Sequence, residues 1–177
     1  MSKCISSDLA FKCDRFKVYK EVWVSSDGKQ YTKWPIVWNH SVAIIAVTPD
    51  KKILMIKEYM EEENASKIVL PGGGVNDGES MENAALRELA EETGYTGDNP
   101  KVLLKSDEST KKLMHHVYYF TVENARKSVE QKFDSDELIE AVLPMDLSEL
   151  KAMASRNELE GDDNTAILLF SEKSEQK

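Results

Sequence analysis

The chain has 177 residues, 41% apolar and 31% charged, the profile of one globular domain long enough to bury a core without disulfide or zinc staples. No stretch approaches the ~20 uninterrupted apolar residues of a membrane-spanning helix. The net charge of -9, from 32 acids against 23 bases, argues against general affinity for nucleic-acid backbones or anionic membranes, so any phosphate ligand must be neutralised locally.

The opening MSKCISSDLAFKCDRFKVYK lacks the long apolar segment of a secretory signal, and a cytoplasmic location is expected. Cys4 and Cys13 have no partners at zinc-ligand spacing and are expected to be reduced bystanders. From Asp14 to Trp38 the chain alternates as strands do, with Asp27-Gly28 between two β-rich runs as a hairpin signal. SVAIIAVT reads as a buried strand, followed by a turn at Pro49 to Lys52 and a second strand at KILMIKEYM. A short KIVL enters Pro71 and three glycines. A helix is predicted from about Met81 to Thr93, with Ser80 as N-cap and Gly94 as C-cap. Strands are predicted at KVLLKS, LMHHVYYFTV and ELIEAVL, then helices near Leu147 to Ala154 and Asn164 to Phe170. The fold class is α+β, partitioned as an N-terminal β-hairpin region over 1–40, a main domain over 41–171 and a frayed tail over 172–177.

The informative segment is LPGGGVNDGESMENAALRELAEETGY. Glu88 and Glu92 are spaced i,i+4 and project from one helix face, with Glu91 beside them. These acids crowd the C-terminal end of the helix, where the macrodipole favours cations and like charges repel, each effect costing about 0.2–1 kcal/mol. Arg87 can answer only one of them. A divalent cation would resolve the repulsion, and carboxylates with a backbone carbonyl are the hard oxygen ligands that Mg²⁺ or Mn²⁺ prefers. Glycines 72 to 74 would let the backbone approach such a ligand closely.

The pattern G-x5-E-x7-R-E-U-x-E-E-x-G-U, with U apolar, runs from Gly73 through Glu79, Arg87, Glu88, Glu91, Glu92 and Gly94 to Tyr95. It resembles the Nudix box at every fixed residue, with an aromatic at the final apolar position. The resemblance implies an α/β/α sandwich with a mixed central sheet that hydrolyses a nucleoside diphosphate linked to another group, using Mg²⁺ or Mn²⁺. It further implies Glu88, Glu91, Glu92 and the Gly72 carbonyl as metal ligands, and Arg87 as a structural partner orienting the acids through Glu79 or Glu91.

The N-terminal strands, KILMIKEYM and KIVLPGGGV are similar to the ADP-sugar pyrophosphatase branch. That similarity implies a homodimer built through the N-terminal hairpin region, and a nucleoside diphosphate sugar such as ADP-ribose, cleaved to nucleoside monophosphate and sugar phosphate. The branch places a catalytic carboxylate on a late loop, implying Glu137, with Asp136 and Glu140 behind it, and Glu92 as a further proton acceptor. Lys57 and Tyr59 fall where related enzymes contact substrate, and Trp38 is a candidate for stacking on a base. KSDESTKKLMHHVYYF lacks the Ser-Pro-Gly type segment of many ADP-ribose hydrolases. Two rival readings are hydrolysis of another nucleoside diphosphate derivative, such as a dinucleoside polyphosphate, and a non-catalytic nucleotide sensor on the same fold.

Overall fold

The computed structural model describes residues 1–110, 112–132 and 138–176. Its organising element is the apolar run Ser41–Ala46 (β5), in which Val42, Ala43, Ile44, Ile45 and Ala46 are all buried. A strand this apolar needs cover on both faces, and the pleat sends alternate residues to opposite sides. Val42, Ile44 and Ala46 join Leu54, Ala84, Ala85, Leu89, Phe120 and Val122 in one core. Ala43 and Ile45 face the other way, with Ile53, Met55, Leu150, Ala154 and Ile167. Burying each large aliphatic chain contributes roughly 1.5–3 kcal/mol. One strand thus anchors two cores, and the α+β class takes the form of an α/β/α sandwich.

β5 pairs in parallel with His116–Lys127 (β11) and antiparallel with Gly72–Gly74 (β8), and Tyr95–Asp107 (β9) completes a mixed sheet ordered β8-β5-β11-β9. Lys52–Met60 (β6) lies between Ala65–Val69 (β7) and Ile139–Asp146 (β12) in an antiparallel sheet. Helix α1, Met81–Glu88, covers the first core, whereas α2, Leu147–Ser155, and α3, Asp163–Glu175, cover the second.

The N-terminal region forms its own sheet: Lys3–Lys12 (β1), Phe16–Val24 (β2), Gln30–Lys33 (β3), Ile36–Trp38 (β4) and Leu113–Met114 (β10). The Asp27-Gly28 turn is present, with Gly28 at φ 82 and its N–H donating to Ser25 O at 3.0 Å.

No strand is predicted before Asp14, and the chain there forms one, paired with β2 from Lys3 to Lys12. Two expectations are corrected. LMHHVYYFTV is two strands in different sheets, since β10 pairs with β4 and β11 with β5. They part at His115, whose carbonyl accepts from Glu108 N at 3.1 Å and whose ring Nε2 sits 3.1 Å from Ser41 Oγ. The last helix continues to Glu175, so the predicted tail is helical through that residue, with Ile167 buried and Ser174 Oγ donating to Phe170 O at 2.8 Å. Among the described residues no helix is long and apolar enough to cross a membrane.

Candidate active site

Gly72 and Gly73 place β8 against β5 and against the box helix. A Cβ on Gly72 would lie 2.2 Å from Val42 O, and one on Gly73 2.5 Å from Glu88 Oε1, so both positions demand glycine by close approach. Ser80 caps α1 by accepting from Asn83 N at 3.2 Å. Beyond Glu88 the helix widens into a π-helical turn, Leu89–Thr93, ended by Gly94 at φ 75. Such widenings are frequent at functional sites. A Cβ at Gly94 would meet Val129 O at 2.8 Å.

The box arginine holds the acids together. Arg87 Nε donates to Glu79 Oε1 at 2.9 Å, and Nη2 donates to Glu79 Oε2 and to Gly74 O, each at 2.9 Å. Its Nη1 donates to Glu88 Oε1 at 2.8 Å and to Glu91 Oε2 at 2.9 Å. Hydrogen bonding to Glu79, then to Glu91 and Glu88, raises the Arg87 pKa further above its already high ordinary value. Reciprocally, the guanidinium holds the Glu79 carboxyl below the usual carboxylate range. Glu92 is turned the other way, accepting from Gly72 N at 2.8 Å through Oε2. Glu88 and Glu92 are only 6% and 3% exposed.

With all groups ionised, four carboxylates and one guanidinium leave three excess negative charges around two deeply buried acids. Burying such charge is costly unless a counter-charge accompanies it. The donor set is therefore matched to a hard divalent cation in type and in charge. Among the described residues no three His, Cys, Asp or Glu side chains are arranged to hold a metal ion. Glu88 and Glu91 face Arg87, and Glu92 faces the Gly72 N–H.

This acid end opens on a cleft of about 560 Å³ that also takes in Trp38, Asn39, Ser41, Glu58, Asp14 and Arg15. Trp38 stacks on Phe16 with ring centroids 5.1 Å apart and keeps 37% of its surface exposed. Lys57 and Tyr59 do not line the cleft. They flank Glu58 on β6, so the pleat sends them to the opposite face, where Lys57 Nζ pairs with Glu140 at 2.6 Å and Tyr59 Oη donates to Asn64 Oδ1 at 2.6 Å. Glu58 is the β6 residue that sequence reasoning missed, although strand alternation was the signal for it. Asp136 and Glu137 lie outside the described residues. The described chain stops at Lys132, whose N–H donates to Glu91 O at 2.8 Å, and resumes at Leu138, whose carbonyl accepts from Tyr59 N at 3.0 Å.

A second cavity, of about 330 Å³, shares Ser41 and Gly73 with the cleft. Its polar lining consists largely of hydrogen-bond acceptors: Glu108, Glu160, Asp162 and Asp163, beside His115 and Tyr119. Asp163 is buried and accepts from Leu70 N at 2.9 Å; burial pushes its carboxyl up to about 6.

A sandwich of this topology, with the box acids gathered at one edge strand, defines a Nudix-type hydrolase. The NUDIX domain profile matches residues 38–162, and the chain belongs to that family. It is 30% identical over 156 residues to an ADP-ribose pyrophosphatase of Bacillus subtilis (strain 168), covering 87% of this chain and 84% of the relative. It is 44% identical over 55 residues to a methanol dehydrogenase activator of Bacillus methanolicus, a match spanning 31% of this chain and 30% of that protein. The crystal structure of an ADP compounds hydrolase superposes with a TM-score of 0.78 over 99% of this chain and 95% of the other at 17% identity, which speaks to the fold. Family and relatives together make this a Nudix hydrolase on the ADP-ribose branch.

Proposed function

We propose that the chain hydrolyses the pyrophosphate bond of a nucleoside diphosphate sugar, ADP-ribose or a close relative, to a nucleoside monophosphate and a sugar phosphate. The observation that carries this reading is the junction of two cavities at Ser41 and Gly73, beside the box acids. A diphosphate laid across that junction would have its sugar in the acceptor-lined cavity, where carboxylates can take hydroxyl donors. The other end of the substrate would reach Trp38, whose exposed face can stack on a base.

Glu88, Glu91, Glu92 and the Gly72 carbonyl would hold Mg²⁺ or Mn²⁺. The cation would supply a Lewis acid that screens the diphosphate charge and acidifies water. Arg87 keeps Glu88 and Glu91 oriented, and the Gly72 N–H fixes Glu92. Glu137, Asp136 or Glu92 would accept the proton of the attacking water. The N-terminal sheet supports a homodimer, because Ile5, Leu9, Phe11 and Trp34 are each more than half exposed on or beside it.

A screen with Mg²⁺ present and absent tests the reading. Its substrates are ADP-ribose, ADP-glucose, GDP-mannose, UDP-sugars, NADH and dinucleoside polyphosphates, scored by phosphate release after phosphatase coupling. Turnover is expected on a nucleoside diphosphate sugar only with the cation. A signal confined to dinucleoside polyphosphates or triphosphates would overturn the substrate class, and binding without turnover would turn the reading into a sensor.

A further inference from the structure

A third cavity, of about 390 Å³, lies away from the cleft, where the sheet meets the end of α3. It is built from Lys51, Lys101 and Lys173 around an apolar floor that includes Val102 and Phe170, with Glu123 as its only acid among the described residues. In a chain with nine excess negative charges, three lysines converging on one pocket form a local reversal of the field. Lys101 stands 3.9 Å from Glu123, whereas the side chains of Lys51 and Lys173 have no ion-pair partner among the described residues. Val102 is 52% exposed, so apolar surface is left open beside unanswered positive charge.

The pocket is fixed by the backbone rather than by the lysines alone. Lys51 sits at φ 67 in the turn between β5 and β6, its N–H donating to Thr48 O at 2.9 Å. The buried Thr48 is in turn held by Asp50 Oδ1 at 2.6 Å. Val47, the residue after β5, lines this pocket and Ser41, the first residue of β5, lines the cleft, roughly 20 Å away at about 3.3 Å per residue of extended chain. The size falls within the ~300–1,000 Å³ of small-molecule sites.

We propose that this pocket is a second ligand site, remote from the cleft, that takes a nucleoside monophosphate: phosphate toward the lysines, nucleoside on Val102 and Phe170. The choice of ligand rests on the proposed reaction, which releases such a molecule, so the pocket is where a product would bind back to the enzyme. The binding itself is read without turnover, and its failure would leave the hydrolysis reading standing.

The test is methyl NMR on the full chain, labelled at Val and Leu, in EDTA, with AMP, GMP and UMP as probes and adenosine and inorganic phosphate as halves of the ligand. Shifts are expected at Val47, Val102 and Leu103, while Val75 in the cleft and Val42 in the cavity that adjoins it stay in place. Each half alone should bind at least tenfold more weakly than the best monophosphate. The pair Lys51→Glu with Lys173→Glu, both exposed, should weaken binding at least tenfold and leave turnover without added monophosphate unchanged. Any one of four results would overturn the proposal: no shifts with any monophosphate, shifts confined to the cleft methyls, wild-type binding by the double variant, or a half binding as tightly as the whole.

Discussion

Residues 72–94 and the N-terminal sheet carry opposite surpluses. The first gathers four carboxylates, two of them nearly buried, around a single guanidinium and a backbone N–H. The second spreads Ile5, Leu9, Phe11 and Trp34 over its surface with more than half of each exposed. A surplus of charge in a low-dielectric site is relieved by a counter-ion; a surplus of apolar area is relieved by another surface. On the proposed reading, the contrast separates what the chain would use for chemistry, a cation, from what it would use for assembly, a second copy.

The strongest way to break that separation is Glu92→Gln. The amide keeps the carbonyl oxygen that can accept from Gly72 N, so the circular dichroism spectrum and oligomeric state should match wild type. Turnover should fall about 10²–10⁴-fold, the usual span for a general acid–base or ligand carboxylate. Rates near wild type in the purified variant would remove the box from the chemistry. Gly73→Ala sharpens the same point through geometry: its methyl would overlap the Glu88 carboxylate at 2.5 Å and must displace it. A shift of that carboxylate by about an ångström is expected to cost roughly 10²-fold in kcat, with about 1–3 kcal/mol of overpacking in a thermal melt.

On the other side, Leu9→Ser with Phe11→Ser should leave the box untouched and weaken self-association. Both chains are about half exposed, at 54% and 53%, so burying the remainder in a dimer contributes roughly 1.5–3 kcal/mol for the pair. Sedimentation equilibrium should show a dissociation constant raised about tenfold or more. Unchanged association would place the interface elsewhere, and a monomeric wild type would sink it altogether.

The two regions also differ in how far they could be read. Every fixed residue of the box lies within one short segment, so spacing alone brought Glu79, Arg87, Glu88 and Glu91 together, as the Arg87 hydrogen bonds show. The π-helical turn was not legible, because a reading at 3.6 residues per turn has no means of widening itself. In KCISSDLAFK only Cys4 and Ser6 are partly buried, so no apolar alternation announces β1, and its pairing with β2 creates the strand. β10 and β11 read as one run because the break at His115 is set by Glu108 and Ser41, 7 and 74 residues away in sequence. Lys57 and Tyr59 were read by chain position, where the pleat selects Glu58.

The smallest effect is expected at the seam between the two regions. His40 joins β4 to β5, its ring stacked on His116 at 5.3 Å and set edge-on to Tyr118. Burial, with His116, Lys105 and His115 adding like charge, holds its pKa below the ordinary value of 6.5. The unfolded chain therefore takes up a proton that folded His40 resists, so this group leaves stability intact above pH 6.5 and erodes it as the pH falls below. His40→Phe keeps a flat ring for the stack and cannot protonate. Thermal melts from pH 8 to pH 5 should show wild type losing more stability than the variant on acidification. Parallel curves would mean that the seam does not sense protons through His40.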